Sequence, residues 1–485
     1  MPTILALDQG TTGSTAIVFG SEGDVLGRGY REVPQIYPAP GEVEHDAMAL
    51  LQTAVDAGRD AVAAAGIAVD ALGITNQRET VVIWDRATLA PLHRAVVWQD
   101  RRTTARCDAL RADGHEPAVR RLTGLVIDPY FTATKLEWLL HDPDLRARAE
   151  AGELCAGTVD AWLVARLTAG RAFVTDRTNA SRTMLAGLVD GEWQPELLEL
   201  FGIPRRILPR VVPSAGVVGV CAAEWFGREL PIAGIAGDQQ AALFGHGCVS
   251  PGEAKITFGT GAFLLRFAGD RSNPEPAPGI LATIAAAADG GLAWALEGSV
   301  FIAGAAVQWL RDGLGIVPDA ASTSAIAASV ADTGGVVMVP AFTGLGAPYW
   351  NASARGTIVG LTRGTSRAHL VRAALESIAH SACDVIDAMG GATVLRVDGG
   401  VTTNDWLMQF QADLAGVPIE RPASVELTAY GAGRLAAVGI GSGLPPAAVL
   451  TGAARFEPRL PATWRAARRA EWHRAVRAAE AWARG

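Results

Sequence analysis

The chain is predicted to be an α/β protein with mixed sheets flanked by helices, duplicated in plan, on three observations. First, apolar Ile4-Leu5-Ala6-Leu7 runs into Asp8-Gln9-Gly10-Thr11-Thr12-Gly13-Ser14-Thr15 and then apolar Ala16-Ile17-Val18-Phe19, which reads as strand, Gly/Thr turn, strand. Second, Ile256-Thr257-Phe258-Gly259-Thr260-Gly261-Ala262-Phe263 is a near copy, so each half of the chain opens on a similar hairpin. Third, short apolar runs alternate with helix-spaced segments along most of the length. Turns of this composition present consecutive backbone N–H groups suited to phosphate oxygens. Two such turns with one buried acid between them is what phosphoryl transfer requires. The break between halves is placed near 245–250, which gives units of 1–246 and 247–485.

In chain order, strands are expected over 4–7, 16–19 and 25–31, the last alternating weakly, and then a helix over 48–65 from its apolar spacing and alanine content. Strands over 71–74 and 81–84 flank Asn76-Gln77-Arg78-Glu79. A strand over 95–97 ends at Trp98-Gln99-Asp100, and Asp128-Pro129-Tyr130-Phe131 is a turn leading into a helix to Leu140. The loops at 158–163 and 178–182 are polar and carry no assigned chemistry. In the second half, 303–310 reads as a glycine-containing helix, 340–350 as a loop, and 369–389 as a long amphipathic helix. A strand over 394–397 ends in Asp398-Gly399-Gly400, with a helix over 404–414 after it. Strand, two glycines and a helix start make a place where backbone can lie against a flat ring or a phosphate.

Composition narrows the class. At 485 residues, 49% hydrophobic and 19% charged, the chain is globular and long enough for two or three domains. A net charge of -8 argues against nucleic acid as the main partner. Cys107, Cys155, Cys221, Cys248 and Cys383 are scattered and odd in number, which fits free thiols of a reducing cytoplasm rather than a disulfide framework or a zinc site. The N-terminus lacks a basic region and is not read as a signal peptide. The apolar stretch 279–310 is broken by Asp289, Glu297 and glycines, so it reads as core strands and a buried helix, not a membrane span. No G-x-x-x-x-G-K-[ST] occurs, which excludes a P-loop NTPase, and the histidines show no metal-ligand spacing. Gly431-Ala432-Gly433-Arg434-Leu435-Ala436 matches a dinucleotide fingerprint but has no strand before it and reads as a small-residue helix. The Arg/Trp-rich segment 464–484 reads as a surface helix with one packed face.

Two features point to chemistry. Asp238 follows the strand-like Gly234-Ile235-Ala236-Gly237 among small residues, and is either a satisfied turn carboxylate or a catalytic one. Arg78-Glu79 is either a surface ion pair or, at the end of an apolar strand, a ligand grip. Forked guanidinium donors beside carboxylate acceptors can hold vicinal hydroxyls. Trp98 and Tyr130 are either core or rim residues, or rings that cover the C–H face of a polyol.

Together these residues resemble the FGGY group of sugar kinases in the actin/hexokinase-like superfamily, and within it the branch that phosphorylates glycerol. The resemblance is carried by Asp8-Gln9-Gly10-Thr11-Thr12, by 73–80 with its Gln77-Arg78-Glu79, by Gly237-Asp238-Gln239-Gln240 through Gly245, and by Phe342-Thr343-Gly344 through Trp350. It runs from Ile4 to about Gly441, and xylulose-type members typically lack the Gln-Arg-Glu. It implies two RNase H-like domains closing over a cleft and ATP-dependent transfer to a primary hydroxyl of glycerol. Carried over by position, Arg78, Glu79, Tyr130, Asp238 and Gln239 hold the glycerol hydroxyls, with Trp98 and Phe263 on its carbon chain. Thr11, Thr12, Gly13 and Thr260 bind phosphates, and Gly304, Gln308, Gly400 and Asn404 line the adenosine site. Asp238 is the expected general base, and Asp8 with Asp238 is expected to hold Mg²⁺, directly or through water. A homo-oligomer is also implied.

The chain departs from the family pattern at three places. Gly13 stands where Ser is usual, Thr15 stands where Arg is usual, and 225–231 lacks the loop that binds a sugar bisphosphate inhibitor in some relatives. Rival readings are a kinase for another small polyol or keto sugar, and a nucleotide-gated binding protein that lost transfer.

Overall fold

The computed structural model describes residues 2–270, 276–423, 426–443 and 452–484. Two mixed sheets repeat one plan. In the first, the spatial order is Ala215–Cys221, Leu230–Gly237, Ala71–Asn76, Ile4–Gln9, Gly13–Phe19, Val25–Glu32. Ile4–Gln9, Gly13–Phe19 and Val25–Glu32 form an antiparallel meander, and Ala71–Asn76 and Leu230–Gly237 add parallel on the other side. In the second, Glu253–Phe258, Ala262–Gly269 and Ala293–Val300 form the meander. Val394–Asp398 and Ile419–Arg421 add parallel on its other side. The duplication expected from the two hairpins is therefore present in strand order as well as in the turns.

Local chemistry sets the element ends. The first helix runs Ala47–Ala65 because Asp46 accepts from Met48 N at 2.8 Å at its start and Gly66 closes it in the left-handed region at φ 65°. Its face of Leu50, Leu51, Ala54, Val55 and Ala61 is buried on the first sheet together with the helix Val159–Leu167. Each such leucine or valine removed from water contributes about 1.5–3 kcal/mol before chain entropy is counted. The segment expected as one helix over 303–310 is a short helix, Gly304–Gln308, followed by a wider π turn, Trp309–Gly313.

The small-residue helix Leu427–Gly439 lies across the opposite face of the first sheet, although it comes late in the chain. Glycine makes that approach possible, since a Cβ on Gly73 would lie 2.4 Å from Ala432 O, and it also lets the helix pack on the helix Asp238–Gly245, since a Cβ on Gly431 would lie 1.9 Å from Ala241 O. The dinucleotide-like pattern is thus a packing stripe. Among the described residues no helix is long and apolar enough to cross a membrane.

Candidate active site

Register brings the first set of predicted residues to one edge. Asp8 pairs in parallel with Thr75 and Gln9 with Asn76, while Gly237 also pairs with Asn76. The carboxyl ends of three neighbouring strands therefore release the 10–13 turn, Gln77-Arg78-Glu79 and Asp238 side by side, where open α/β sheets bind ligands. Gln77 Nε2 donates to Gln9 Oε1 at 3.1 Å, and Trp98 Nε1 donates to Thr11 Oγ1 at 2.9 Å, which ties the turn to the strand ends around it. The turn itself is closed by Gly10 N donating to Gly13 O at 2.9 Å. Thr12 is exposed at its tip.

Arg78-Glu79 is a buried pair, not a surface one. Arg78 is 3% exposed, Glu79 and Glu297 are 1% exposed and Arg182 is 0% exposed, so every charge must be matched inside. Arg78 forks onto Glu297 with bonds of 2.6 and 3.0 Å, and Arg182 donates to Glu79 at 2.7 Å and to Glu297 at 3.0 Å. Burial alone would raise Glu297, but Arg182 and Arg78 more than offset it and hold its carboxyl down at about 2. Glu297 comes from the second sheet and both arginines from the first half, so this quartet also joins the two halves. Glu79 sits at φ 62°, a conformation that costs a non-glycine residue about 1 kcal/mol and is held here by Arg182 and by Thr132 Oγ1 donating to its carbonyl at 3.0 Å. Tyr130 lies against the group: its hydroxyl accepts from Arg78 Nη2 at 3.4 Å, and its ring meets Trp98 edge to face at 5.5 Å.

Asp238 is the first residue of the helix Asp238–Gly245. Gly237 before it has an ordinary φ of -60°. Glycine is needed there because a Cβ would lie 2.8 Å from Arg78 Cγ and Cδ. Arg78 Nε lies 3.3 Å from Asp238 Oδ1, which also accepts from Gln239 N at 2.6 Å. Burial raises the Asp238 carboxyl above the ordinary range, and Arg78 and then Lys255 oppose the rise. A carboxylate moved toward neutrality is a better base for a hydroxyl proton than an ordinary aspartate. Asp8 is pushed up to about 8 by burial first, then by the Asp238 and Glu426 carboxylates.

A second buried network fixes the backbone on both sides of this site. Thr178 Oγ1 donates to Asp176 at 2.8 Å and accepts from Gly237 N at 2.8 Å. Asn179 Nδ2 donates to Asp176 at 2.9 Å and exchanges amide bonds with Asn76 at 3.0 and 3.1 Å. Beside Asp176, Asp160 is raised from 3.8 to about 7 by burial and by the Asp176 charge. A carboxyl that holds its proton more tightly in the folded state stabilises the fold fully below the unfolded value of about 3.8, and that share is lost as pH rises through about 7. We expect urea unfolding between pH 4 and 8 to show this loss as a slope of at most about 1.4 kcal/mol for each pH step of one, and Asp160→Asn to remove it.

The second hairpin gathers the other predicted residues. Gly259 N donates to Gly261 O at 2.8 Å, and Gly259 O accepts from Gly304 N at 3.0 Å. A Cβ on Gly304 would lie 2.6 Å from Gly259 O and 3.1 Å from Val401 Cγ2, so Thr260, Gly304 and the turn Gly400–Thr403 are packed together. Gly399 leads that turn at φ 91°, with Phe258 O only 2.2 Å from where a Cβ would stand. Asn404 caps the helix Asp405–Ala415, accepting from Leu407 N at 3.0 Å and donating to Thr323 Oγ1 at 3.2 Å. Gly400 and Gln308 are exposed. Phe263 is half-buried on the strand after the turn, paired with Thr257 and Ser299.

The unusual Gly13 has a physical counterpart. A Cβ there would lie 2.5 Å from Tyr30 Cε2, and Tyr30 pairs with Thr15 across the sheet. The tyrosine ring fills the space a serine at 13 would need.

Arg182, Glu297, Lys255 and Thr178 are the residues that sequence reasoning misses. Thr178 lies in the short helix Arg177–Ala180 and Arg182 in the turn after it, where a polar loop is expected and polarity is the one sequence signal, and Glu297 shows only as a charge interrupting an apolar stretch.

The comparisons with known proteins cover the same span. The model of the FGGY family of carbohydrate kinases, N-terminal domain, matches residues 3–245, and that of the C-terminal domain matches 254–440. A glycerol kinase of Alkalilimnicola ehrlichii is 54% identical, over 100% of this chain and 99% of its own. One of Dechloromonas aromatica is 52% identical, over 99% and 98%. The crystal structure of Plasmodium falciparum glycerol kinase with ADP superposes with a TM-score of 0.94 at 32% identity, over 99% and 98%. With both halves matched and full-length relatives above half identity, the chain belongs to the FGGY family of carbohydrate kinases.

Proposed function

We propose that the protein transfers the γ-phosphoryl group of ATP to a primary hydroxyl of glycerol, giving sn-glycerol 3-phosphate and ADP. The observation that carries this reading is the buried Arg78–Glu79–Arg182–Glu297 quartet, with Trp98 and Tyr130 beside it and Asp238 3.3 Å from Arg78. It supplies fixed donors, fixed acceptors and an apolar wall within one small site. Full-length likeness to glycerol kinases supports glycerol as the acceptor.

In this reading Arg78, Glu79, Tyr130, Gln239 and Asp238 hold the hydroxyls, and Trp98 and Phe263 lie along the carbon chain. Asp238 orients the acceptor hydroxyl and takes its proton late in transfer, as a poor alcohol nucleophile requires. The turns bearing Thr11, Thr12 and Gly13 and bearing Thr260 receive phosphate oxygens through backbone N–H groups. Gly304, Gln308, Gly400 and Asn404 line the adenosine. ATP as donor is supported by the ADP in the Plasmodium structure. Residues 1–246 would carry the polyol and most phosphate contacts and 247–485 the nucleotide, with the Leu427–Gly439 helix returning to the first sheet.

Mg²⁺ fits the donor set. Asp8 is held protonated to about 8 partly by Asp238 and Glu426, a crowding of carboxylates that a cation relieves. Among the described residues no three His, Cys, Asp or Glu side chains form a closed cage, which suits an ion that completes its shell with phosphates and water. Asp8 and Asp238 would hold it, and when bound it would neutralise phosphate charge. The reading also places a homo-oligomer in the cytoplasm, and five free, buried cysteines support a reducing compartment.

The test is kcat/KM with Mg·ATP for glycerol, xylulose, ribulose and erythritol. Glycerol should exceed each of the others by at least about tenfold, because a site built to pair every hydroxyl rejects acceptors that leave its buried groups unpaired. Preference for another acceptor would keep the fold and overturn the reading of Arg78-Glu79.

A further inference from the structure

Gln239 stands next to Asp238, at the second position of the same helix, and its amide is partly exposed. A primary amide has a donor end and an acceptor end, and with nothing to choose between them it presents either. Here something chooses. Lys255 Nζ donates to Gln239 Oε1, and also to Thr257 Oγ1 at 2.9 Å. Lys255 is fully buried on the strand Glu253–Phe258, in the second half of the chain. An ammonium has three donors and no acceptor, so the Gln239 amide can meet it only through oxygen. The NH₂ end is then left for the cleft.

We propose that Lys255 is a positioning residue that locks Gln239 as a hydrogen-bond donor toward the acceptor polyol. This rests on the reading of Gln239 as a glycerol contact. Asp238 then offers only an acceptor and Gln239 only donors, two neighbouring groups of opposite kind. A hydroxyl giving its proton to Asp238 and a neighbouring hydroxyl oxygen receiving from Gln239 fit that pair, whereas a flipped amide would set its carbonyl beside the Asp238 carboxylate. The buried lysine has no solvent to satisfy it: Gln239 and Thr257 accept its hydrogen bonds, and the Asp398 and Asp238 carboxylates offset part of its desolvation. Lys255 lies on the strand that leads into the Thr260 turn, so the acceptor's donor contact is built from the element that carries the phosphate turn. The arrangement also explains why a lysine, rather than an apolar residue, occupies an inward position of a core strand.

The test is a double-mutant cycle in the full chain with Lys255→Met and Gln239→Met, measuring KM for glycerol and for Mg·ATP separately. Gln239→Met should raise the glycerol KM about tenfold, the worth of one well-placed hydrogen bond, and Lys255→Met by a smaller factor of about two to five, because the freed amide still presents its NH₂ end part of the time. The double variant should rise no further than Gln239→Met, and the ATP KM should stay within about twofold. A multiplicative rise in the double variant would overturn the proposal, as would an unchanged glycerol KM in Lys255→Met or an equal rise for ATP. Should Lys255→Met fail to fold, Gln239→Glu serves instead. It keeps an oxygen on Lys255 and removes the donors, so the glycerol KM should again rise about tenfold, and an unchanged value overturns the proposal. Wild-type protein without glycerol-dependent ADP release would instead overturn the functional reading beneath it.

Discussion

Replacing Asp238 by asparagine is expected to lower kcat by about 10²–10⁴-fold while leaving glycerol binding within a few-fold of wild type. The amide keeps the shape of the side chain and an oxygen for Gln239 N, which now donates to Asp238 Oδ1 at 2.6 Å. It loses the ability to take a proton. Arg78, Glu79, Tyr130, Gln239 and the Trp98 ring still hold glycerol, and the amide keeps an oxygen for Arg78 Nε, which lies 3.3 Å from Asp238 Oδ1. The split is measured by steady-state ADP release beside calorimetric titration with glycerol. Turnover unchanged in this variant would remove Asp238 from the mechanism, and lost binding with intact kcat would make it a binding residue only.

Glu297→Ala is expected to destabilise the protein by about 3–5 kcal/mol, because it leaves two buried guanidinium groups with Glu79 and, for Arg78, the partly exposed Asp238. Glu297 accepts from both Arg78 and Arg182, and its removal uncouples the two halves at the same stroke. Urea titration followed by tryptophan fluorescence reads the effect. A midpoint unchanged from wild type would mean that the quartet is not a buried charge cluster in solution. The same carboxyl sets an acid limit. Its folded value near 2 lies below the ordinary 4.5, so its stabilisation is complete above about 4.5 and is lost as pH falls toward 2. Glu297→Gln should therefore show a flatter loss of stability across that window.

What the sequence discloses and what it hides separate along a physical line. Strands such as Ile4–Gln9 and Ala71–Asn76 and the helix Ala47–Ala65 carry local signals, an apolar period and a cap, and they lie where those signals place them. The two Gly/Thr hairpins are legible for the same reason, and so is the repeated plan of the sheets. The partners of Arg78 are not. Glu297 is 219 residues away, and Arg182 is 103 residues from Glu79, so their meeting is set by how the halves pack and leaves no periodic trace. Gly237 shows in the sequence only as a small residue before Asp238, whereas in the structure the space it leaves is filled by Arg78. The π turn at Trp309–Gly313 is hidden as well, since no proline or glycine separates it from the helix Gly304–Gln308 that runs into it.

If acceptor and phosphoryl donor meet at Asp238, ADP release from Mg·ATP depends on glycerol. Measured with and without glycerol, with phosphorus NMR of the product, release should rise strongly with glycerol and yield one glycerol 3-phosphate per ADP, and Thr15 and Gly13 are then tolerated features of a working phosphate turn. ADP release at the same rate without glycerol, or no release with it, would mean that the two do not meet there.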